Sequence, residues 1–292
     1  MIFITGATGQ LGKLTIDFLL KKGFAANQIT ALARSSEKAK ELEAKGINIK
    51  IGDYDDYESL KAAFTGVEKL LLISSSEMTK SRAVQHISAI NAAKECGVKH
   101  IIYTGYMRKA EDTNSPLWFL VKDHIDTEKY LKESGINYTI FENGYYLDML
   151  MDFVGQNILE TKTIFIPAKK GKVNFVLRAD IAEGLAEAIT NNGHENKSYN
   201  IGSEKAVSFG EIAQMITEIT GTPIQYVSPE PEVYTKTLIQ HGVPEVWAKV
   251  YTAFAVAFAD NIMNIDSTDL SNILGRKPVT AHEFLKNNFN AI

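Results

Sequence analysis

Cysteine is almost absent from the 292-residue sequence, which contains only Cys96. A single cysteine excludes an intramolecular disulfide and a cysteine-rich metal cluster, and it suits a reducing compartment. Long hydrophobic runs are also missing, since no apolar stretch approaches the roughly 18 residues that span a bilayer. The first residues resemble a strand rather than an export signal. We therefore expect a cytoplasmic protein with no bound metal and no membrane partner.

Blocks of like charge are absent as well. The 31 lysines and arginines and the 35 aspartates and glutamates give a formal net charge of −4, with no basic cluster for the phosphates of nucleic acid. Nucleic acid is therefore not an expected partner. The 45% hydrophobic content can fill the core of one large domain or of two coupled ones. We expect a monomer or a homodimer.

Short apolar runs alternate with amphipathic stretches through the first half of the chain. The runs MIFIT, ITALA, INIKIG, VEKLLLIS, VKHIIYTG and INYTIFENG are typical of strands, and the stretches between them have helical spacing. Strands that alternate with helices pair in parallel through right-handed crossovers. The pattern predicts the α/β class, with a Rossmann-like, doubly wound parallel sheet.

The regular alternation of strands and helices ends after the sixth strand. Residues 145–159 are predicted to form a helix, and residues 161–176 a small pair of extended segments. A helix over 178–191 and a strand over 197–202 indicate a return to the sheet. From residue 205 onward the sequence is mostly helical and carries five of the seven prolines.

These changes divide the chain into two parts. An NAD(P)-binding Rossmann domain is predicted over residues 1–144 and 178–204. A smaller, mostly helical substrate-binding region is predicted over residues 145–177 and 205–292, where it would cap one edge of the sheet. The boundary is therefore expected to be discontinuous in sequence.

A glycine-rich turn, GATGQLG, follows the first strand and precedes the first helix. Glycine at these places lets the chain turn tightly, lets backbone N–H groups approach a pyrophosphate and lets the helix pack on the sheet. The spacing G-x-x-G-x-x-G differs from the commoner G-x-G-x-x-G. The prediction of a cofactor-binding turn therefore depends on its place between the first strand and the first helix. A purely structural glycine turn is the alternative. The predicted cofactor contacts are Gly6, Thr8, Gly9, Gln10, Leu11 and Gly12.

The second strand ends in Arg34, Ser35 and Ser36, where a carboxylate for the ribose 2′-hydroxyl of NAD is expected. A cation and two hydroxyls suit a 2′-phosphate instead, so NADPH is the predicted cofactor and NADH the alternative. The competing interpretation is that Arg34 is a solvated loop residue and one of the serines caps the next helix.

Polar residues also end the third and fourth strands. Asp53 is predicted to hydrogen-bond the adenine amino group, with capping of the following helix as the alternative. Ser74, Ser75 and Ser76 end the fourth strand at the carboxyl edge, where ligands bind in open α/β sheets. We predict that these serines contact the cofactor, and turn formation is the alternative.

The sequence resembles the NmrA-like group of atypical short-chain dehydrogenase/reductases, and within it the type 2 NAD(P)H:quinone oxidoreductases and the triphenylmethane dye reductases. The resemblance covers most of the chain and is carried by GATGQLG, KLLLISSSE, KHIIYTGY, HIDTEKYLKESGINYTIFENGYY, VLRADIA and GHENKSYNIG. It implies a pyridine-nucleotide cofactor.

Ordinary members of that superfamily carry a Tyr-x-x-x-Lys pair on the helix after the fifth strand. Alignment on the H-x-x-x-E pattern of HIDTE puts His124 at the lysine position and Leu120 at the tyrosine position. The phenolic acid is therefore missing. The only Tyr-x-x-x-Lys match in the sequence, Tyr57 to Lys61, precedes the fourth strand and is interpreted as a chance match on a solvated helix.

The missing acid restricts the substrate. Hydride addition to a ketone forms an alkoxide, whose conjugate acid has a pKa near ~16, whereas a quinone gives a phenolate with a pKa of about 10. The anionic oxygen formed from a quinone therefore needs on the order of 8 kcal/mol less stabilisation than the alkoxide formed from a ketone. A cationic dye needs less still, because hydride neutralises a carbocation. A small, conjugated, electron-poor acceptor is the predicted partner.

Three residues are candidates for catalysis. His124 can hydrogen-bond the nicotinamide ribose or relay a proton near neutral pH. The alternative is a surface histidine paired with Asp123 or Glu128. Thr104 is predicted to orient an acceptor oxygen, and Tyr106 is the nearby phenol that can substitute as a proton donor, with a packed tyrosine as the alternative.

The segment after the sixth strand matches the family's Asn-Gly-aromatic-Tyr pattern at the nicotinamide edge. Asn143, Gly144 and Tyr145 are therefore predicted cofactor contacts, and the faces of Tyr145 and Tyr146 can stack on a flat acceptor. The sequence departs from the related pattern at Glu142, where related sequences carry arginine.

Three functions fit these features. The leading one is an NADPH-dependent reductase that transfers hydride to quinones or similar conjugated acceptors, including triphenylmethane-type dyes. The second is an NAD(P)-sensing regulator of the NmrA-like kind, which the missing tyrosine suits equally well. The third is an enzyme resembling nucleotide-sugar epimerases, against which Leu120 at the tyrosine position argues.

Overall fold

The structure is a computed structural model that describes residues 1–77, 79–109 and 113–290. Its centre is a sheet of seven parallel strands. The strands of this sheet are β1 (Ile2–Ile4), β2 (Ile29–Ala33), β3 (Asn48–Ile51), β4 (Lys69–Leu72), β5 (His100–Tyr106), β6 (Asn137–Asn143) and β11 (Lys197–Ile201).

Helices follow the strands as the alternation in sequence predicts. In chain order they are α1 (Gln10–Lys21), α2 (Ser36–Ala44), α3 (Tyr57–Phe64), α4 (Arg82–Glu95), α5 (Trp118–Glu133), α6 (Leu150–Val154), α7 (Ile158–Thr161), α8 (Arg178–Thr190), α9 (Phe209–Thr220), α10 (Pro231–Gln240), α11 (Glu245–Ala259), α12 (Asp269–Leu274) and α13 (Ala281–Asn290). Two 3₁₀ turns cover Ala26–Gln28 and Leu147–Met149.

The strand order is β11-β6-β5-β4-β1-β2-β3, so the order reverses between β1 and β4. Both faces of the sheet are covered. One face packs on α1, α8 and α12 through side chains such as Ile16, Leu185 and Leu270, and the other packs on α3, α4 and α5 through Phe64 and Ile90. Coverage on both sides explains why the strands are apolar at successive positions. The predicted doubly wound parallel sheet is confirmed.

A second apolar core lies outside the sheet. It gathers aromatic side chains from the segments after β6 and from the C-terminal third, among them Tyr145, Phe209 and Phe258. Three short strand pairs border it: β7 (Tyr145–Tyr146) with β10 (Phe175–Val176), β8 (Thr163–Phe165) with β13 (Gln225–Val227), and β9 (Lys172–Val173) with β12 (Val207–Ser208).

Two local predictions are wrong. The helix expected over 145–159 begins as strand β7, because the Tyr145 backbone N–H donates to the Asn174 carbonyl, and it is interrupted at Gly155, which has φ +96°. The extended segments within 161–176 exist, but they pair with strands elsewhere in the chain rather than with each other. In both cases the backbone conformation depends on hydrogen-bond partners that are distant in the sequence.

The predicted return to the sheet is confirmed. Helix α8 and strand β11 lie where they were expected, and β11 pairs in parallel with β6 from Lys197 opposite Thr139 to Ile201 opposite Asn143. The division into two domains stays a prediction. No helix in the described part of the chain is long and apolar enough to cross a bilayer.

Candidate functional site

A cleft with a volume of about 890 Å3 opens at the carboxyl edge of the sheet, beside the reversal between β1 and β4. Ligands of doubly wound proteins bind at such a reversal because the loops diverge there. The cleft brings together eleven residues predicted to contact the cofactor. They are Gly6, Thr8, Gly9, Gln10, Leu11, Gly12, Arg34, Asp53, Ser74, Ser75 and Ser76.

The glycine-rich loop forms one end of this cleft. Gly6 has φ +61°, a conformation that side chains disfavour. A Cβ on Gly12 would lie 2.4 Å from the Gly6 carbonyl oxygen, so the helix can approach the loop only without a side chain there. Helix α1 therefore starts directly behind the loop, and its first backbone N–H groups have no carbonyl partners within the helix. Such an end attracts a phosphate.

Arg34 lies exposed at the end of β2, and its guanidinium forms no ion pair with any residue that the structure describes. Ser35 precedes α2 in the N-cap position but makes no side-chain capping hydrogen bond. Capping therefore does not account for this serine. A cation and a hydroxyl without partners are thus available beside the cleft.

Asp53 also faces the cleft rather than capping the next helix. The N-cap of α3 is Asp56, whose carboxylate accepts the Ser59 backbone N–H at 3.1 Å. One oxygen of Asp53 accepts the Asp55 backbone N–H at 3.0 Å. Its other oxygen makes no hydrogen bond with the described residues and can accept one from a ligand.

The two serines Ser74 and Ser75 use their backbone N–H groups within the protein. The Ser74 N–H donates to the Thr104 hydroxyl at 2.8 Å, and the Ser75 N–H donates to His86 Nε2 at 2.9 Å. Thr104 is buried, and its hydroxyl also donates to the Ser74 hydroxyl at 3.4 Å. Thr104 thus connects β5 to the segment that follows β4 through hydrogen bonds with Ser74.

The residues that end β6 lie behind the cleft and do not line it. The side-chain amide of Asn143 is buried, and neither its oxygen nor its nitrogen has a hydrogen-bond partner among the described residues. A Cβ on Gly144 would meet the Asn174 carbonyl oxygen at 2.6 Å, so this glycine permits close packing. Tyr145 packs edge-on against Phe254 and three other aromatic rings of the second core.

His124 is buried on α5, and its Nδ1 lies 2.8 Å from the hydroxyl of Tyr103. Burial lowers the pKa of His124 well below its ordinary value, and the nearby positive charge of Arg82 adds to the effect. The alternative interpretation of His124 as a paired surface residue is therefore wrong. Asp123 instead bonds Ser81 and the backbone N–H of Arg82.

Glu128 is paired away from His124 as well. Its two carboxylate oxygens accept hydrogen bonds from the Arg108 guanidinium at 3.0 and 2.6 Å. Arg108 also donates to the Tyr106 carbonyl oxygen at 3.0 Å. The buried ion pair therefore holds the end of β5 beside α5.

Tyr106 stacks on the His124 ring, with ring centres 6.0 Å apart and an angle of 20° between the planes. Its hydroxyl donates to the sulfur of Met263 at 3.1 Å, and burial raises its pKa. A phenol that donates to a thioether and is reluctant to ionise is a poor proton donor. Neither Tyr106 nor His124 is among the residues that line the cleft.

Comparison with known proteins identifies the family. The sequence matches the NmrA-like family over residues 1–285. The chain belongs to the NmrA-like family.

Two reductases are similar to this NmrA-like protein over nearly their whole length. Quinone oxidoreductase 2 of Escherichia coli K12 is 39% identical over 290 residues, covering 99% of each chain. The NAD(P)H azoreductase of Xenophilus azovorans is 28% identical over 287 residues, covering 98% of this chain and 97% of its own. The comparisons confirm the family resemblance seen in the sequence.

A solved structure has the same architecture. The crystal structure of Citrobacter sp. triphenylmethane reductase complexed with NADP(H) superposes with a TM-score of 0.92 and 37% identity, covering 98% of this chain and 99% of that one. Similarity to named reductases supports the reductase interpretation over the regulator and the epimerase.

Residues outside the eleven predicted cofactor contacts also line the cleft, among them Tyr146, Arg178 and Trp247. The Arg178 guanidinium lies 4.3 Å from the centre of the Tyr146 ring. Arg178 stands in the VLRADIA segment and Tyr146 follows Tyr145, so both carried a sequence signal. Trp247 lies on α11, about a hundred residues further along, where no local pattern indicates the cleft.

Lys122 and Glu142 lie away from the cleft. Lys122 is exposed on α5 and pairs with Asp126 one turn later. Glu142 lies on β6 opposite Gly105, on the side of the sheet that faces Glu128. Burial raises the pKa of Glu142, and the negative charge of Glu128 adds to this.

Replacing Glu142 by glutamine should modestly raise the melting temperature at neutral pH. Because the folded-state pKa is raised, ionised Glu142 opposes folding at a pH above that value. The gain should disappear as the pH falls below the ordinary glutamate pKa of about 4, where both states are protonated. Thermal unfolding across this pH range checks the prediction. Glu133→Gln, an exposed change on α5, should show no such pH dependence, and an equal gain at acid pH would contradict the assignment.

Proposed function

We propose that the protein is an NADPH-dependent reductase of quinones or similar conjugated, electron-poor acceptors. The observation that carries the proposal is the cleft, which brings the glycine-rich loop together with Arg34 in a chain with no Tyr-x-x-x-Lys pair on α5. The named activities of the similar reductases support the same reaction class. The cytoplasmic location and the oligomeric state stay predictions.

The residues at the cleft fit NADPH. The N-terminus of α1 and the glycine-rich loop suit a pyrophosphate, and Arg34 suits a 2′-phosphate. The buried amide of Asn143 next to the cleft residue Tyr146 has unmet hydrogen-bonding capacity, which typically costs about 1–3 kcal/mol per group. A polar ligand group at the end of β6 would satisfy it. Bound NADPH supplies a hydride.

The protein's own contribution is then orientation rather than acid catalysis. Leu120 offers no proton, and the raised pKa of Tyr106 keeps that hydroxyl protonated. An acceptor whose reduced oxygen is a phenolate with a pKa of about 10 tolerates this, whereas a simple ketone does not. Correct placement of the reacting atoms can supply several kcal/mol of the barrier reduction.

A panel of acceptors tests the function directly. Purified protein is incubated with NADPH and a quinone, a cationic triphenylmethane dye or a simple ketone, and loss of NADPH absorbance is followed. We expect turnover with the conjugated acceptors and none with the ketone. Cofactor binding without turnover of any acceptor would favour the sensing regulator instead, and rapid ketone reduction would contradict the substrate argument.

Replacing Arg34 by alanine should weaken NADPH binding by about tenfold to a hundredfold, because a charge-assisted hydrogen bond contributes about 1.5–3 kcal/mol. NADH, which lacks the 2′-phosphate, should bind nearly as before. Calorimetry with both nucleotides measures the difference. Lys38→Ala on the exposed side of α2 is the matched control and should change neither affinity. Equal losses for both nucleotides would refute the assignment of Arg34 to the 2′-phosphate.

A further inference from the structure

Two fully buried polar residues connect the backbone N–H of Ser75 to His124 through hydrogen bonds. His86 is on α4 and Tyr103 is on β5, and neither side chain lines the cleft. The rings of His86 and Tyr103 meet edge-on with their centres 5.4 Å apart, and Tyr103 reaches His124 on the other side. These groups form one connected hydrogen-bond chain.

The direction of this chain is set by a backbone amide. The Ser75 N–H can only donate, so His86 Nε2 must accept and the His86 ring proton lies on Nδ1. Burial lowers the pKa of His86 to about 3, which keeps the ring neutral. The Nδ1–H donates to the Thr127 hydroxyl at 3.0 Å. The Thr127 hydroxyl in turn donates a hydrogen bond to the Asp123 carbonyl oxygen at 2.6 Å.

The protonation of His86 also restricts the direction of the hydrogen bonds made by the Tyr103 hydroxyl. This hydroxyl is 3.4 Å from His86 Nδ1, which already carries a proton, and 2.8 Å from His124 Nδ1. With His86 Nδ1 acting as a donor, the hydroxyl is free to donate along its shorter contact, to His124 Nδ1. Burial raises the pKa of Tyr103, so this hydrogen stays on the tyrosine oxygen. A transfer that left a phenolate in this enclosed position would be strongly unfavourable.

We infer that Tyr103 and His86 are positioning residues that hold His124 as the neutral tautomer with its proton on Nε2. The positive groups that face the ring, Arg82 and Arg108, oppose a second proton. Nε2 makes no hydrogen bond with the described residues. His124 thus presents a fixed hydrogen-bond donor rather than a titrating acid.

The tautomer of His124 does not depend on the proposed function. Its effect on catalysis does rest on that function. A fixed N–H donor can stabilise the oxygen of a quinone as negative charge develops there. The reacting carbon of a cationic dye has no such oxygen. Loss of the tautomer should therefore reduce quinone turnover more than dye turnover.

Nitrogen-15 NMR of histidine-labelled protein tests the tautomer without any assay of turnover. The chain has six histidines, so His124 is assigned by the signals that disappear in His124→Gln. Between mildly acidic and mildly alkaline pH, we expect Nδ1 to have the shift of an unprotonated nitrogen and Nε2 that of a protonated one. A protonated Nδ1 or a doubly protonated ring at neutral pH would overturn the inference, and the wild-type spectrum alone decides this.

Tyr103→Phe keeps the ring and removes the donor. We expect the two His124 signals to shift towards a mixture of tautomers and the quinone kcat to fall about tenfold, the equivalent of one hydrogen bond of about 1.4 kcal/mol, with NADPH affinity unchanged. Tyr130→Phe, which removes a hydroxyl that donates to Asn91 between α5 and α4, is the matched control. Unchanged His124 signals in Tyr103→Phe would refute the positioning role. The expected spectrum without turnover of any acceptor would instead count against the proposed function alone.

Discussion

Replacement of Glu128 by alanine should lower the free energy of unfolding by about 3–5 kcal/mol, the usual cost of breaking a buried ion pair. Glu128 is 2% exposed and accepts two hydrogen bonds from Arg108. Alanine would remove both hydrogen bonds that the almost fully buried Glu128 carboxylate accepts from Arg108. Because Arg108 also holds the Tyr106 carbonyl, the end of β5 should loosen as well.

Chemical denaturation of the wild type and the variant measures this loss. Asp126→Ala is a matched control on the same helix, because Asp126 pairs with Lys122 and their side chains are 41% and 54% exposed. Exposed pairs of this kind contribute about 0–1 kcal/mol. A loss for Glu128→Ala no larger than for Asp126→Ala would show that the buried pair is not a stabilising contact.

Replacement of Gly12 by alanine should abolish NADPH binding at concentrations that saturate the wild type, a loss of more than about a hundredfold, or about 2.7 kcal/mol. The added Cβ would lie 2.4 Å from the Gly6 carbonyl oxygen and 2.6 Å from the Ala7 Cα. Both neighbours are backbone atoms, so the loop itself must move. A displaced loop no longer presents its N–H groups to the pyrophosphate.

Calorimetric titration with NADPH checks the affinity, and thermal unfolding without cofactor reports how much of the effect is lost stability. Gly210→Ala is the control, because a Cβ there would meet Tyr226 at an ordinary 3.6 Å and alanine suits a helix. It should bind NADPH as the wild type does. Wild-type affinity in a folded Gly12→Ala protein would remove this loop from the cofactor site.

The grouping of the predicted cofactor contacts in one cleft follows from the topology. Carboxyl ends of parallel strands meet at one edge, so polar residues that end β1 to β4 had to lie close together once the alternation was recognised. Tyr146 was predicted to stack on the acceptor, and Arg178 lies in the VLRADIA segment that carries the family resemblance. Trp247 carried no local signal, because α11 reaches the cleft only through the packing of the second core.

The alternation of apolar strands with amphipathic helices was enough to predict the parallel sheet, because burial on both faces leaves a direct mark on residue type. The glycines of the first turn and the absence of a Tyr-x-x-x-Lys pair on α5 are likewise local properties that sequence alone determines. Only the tertiary structure decided that residues 145–146 form a strand and that His124 is buried against Tyr103. These features depend on backbone and side-chain partners distant in the chain, whose contacts leave no periodic pattern in the residues themselves.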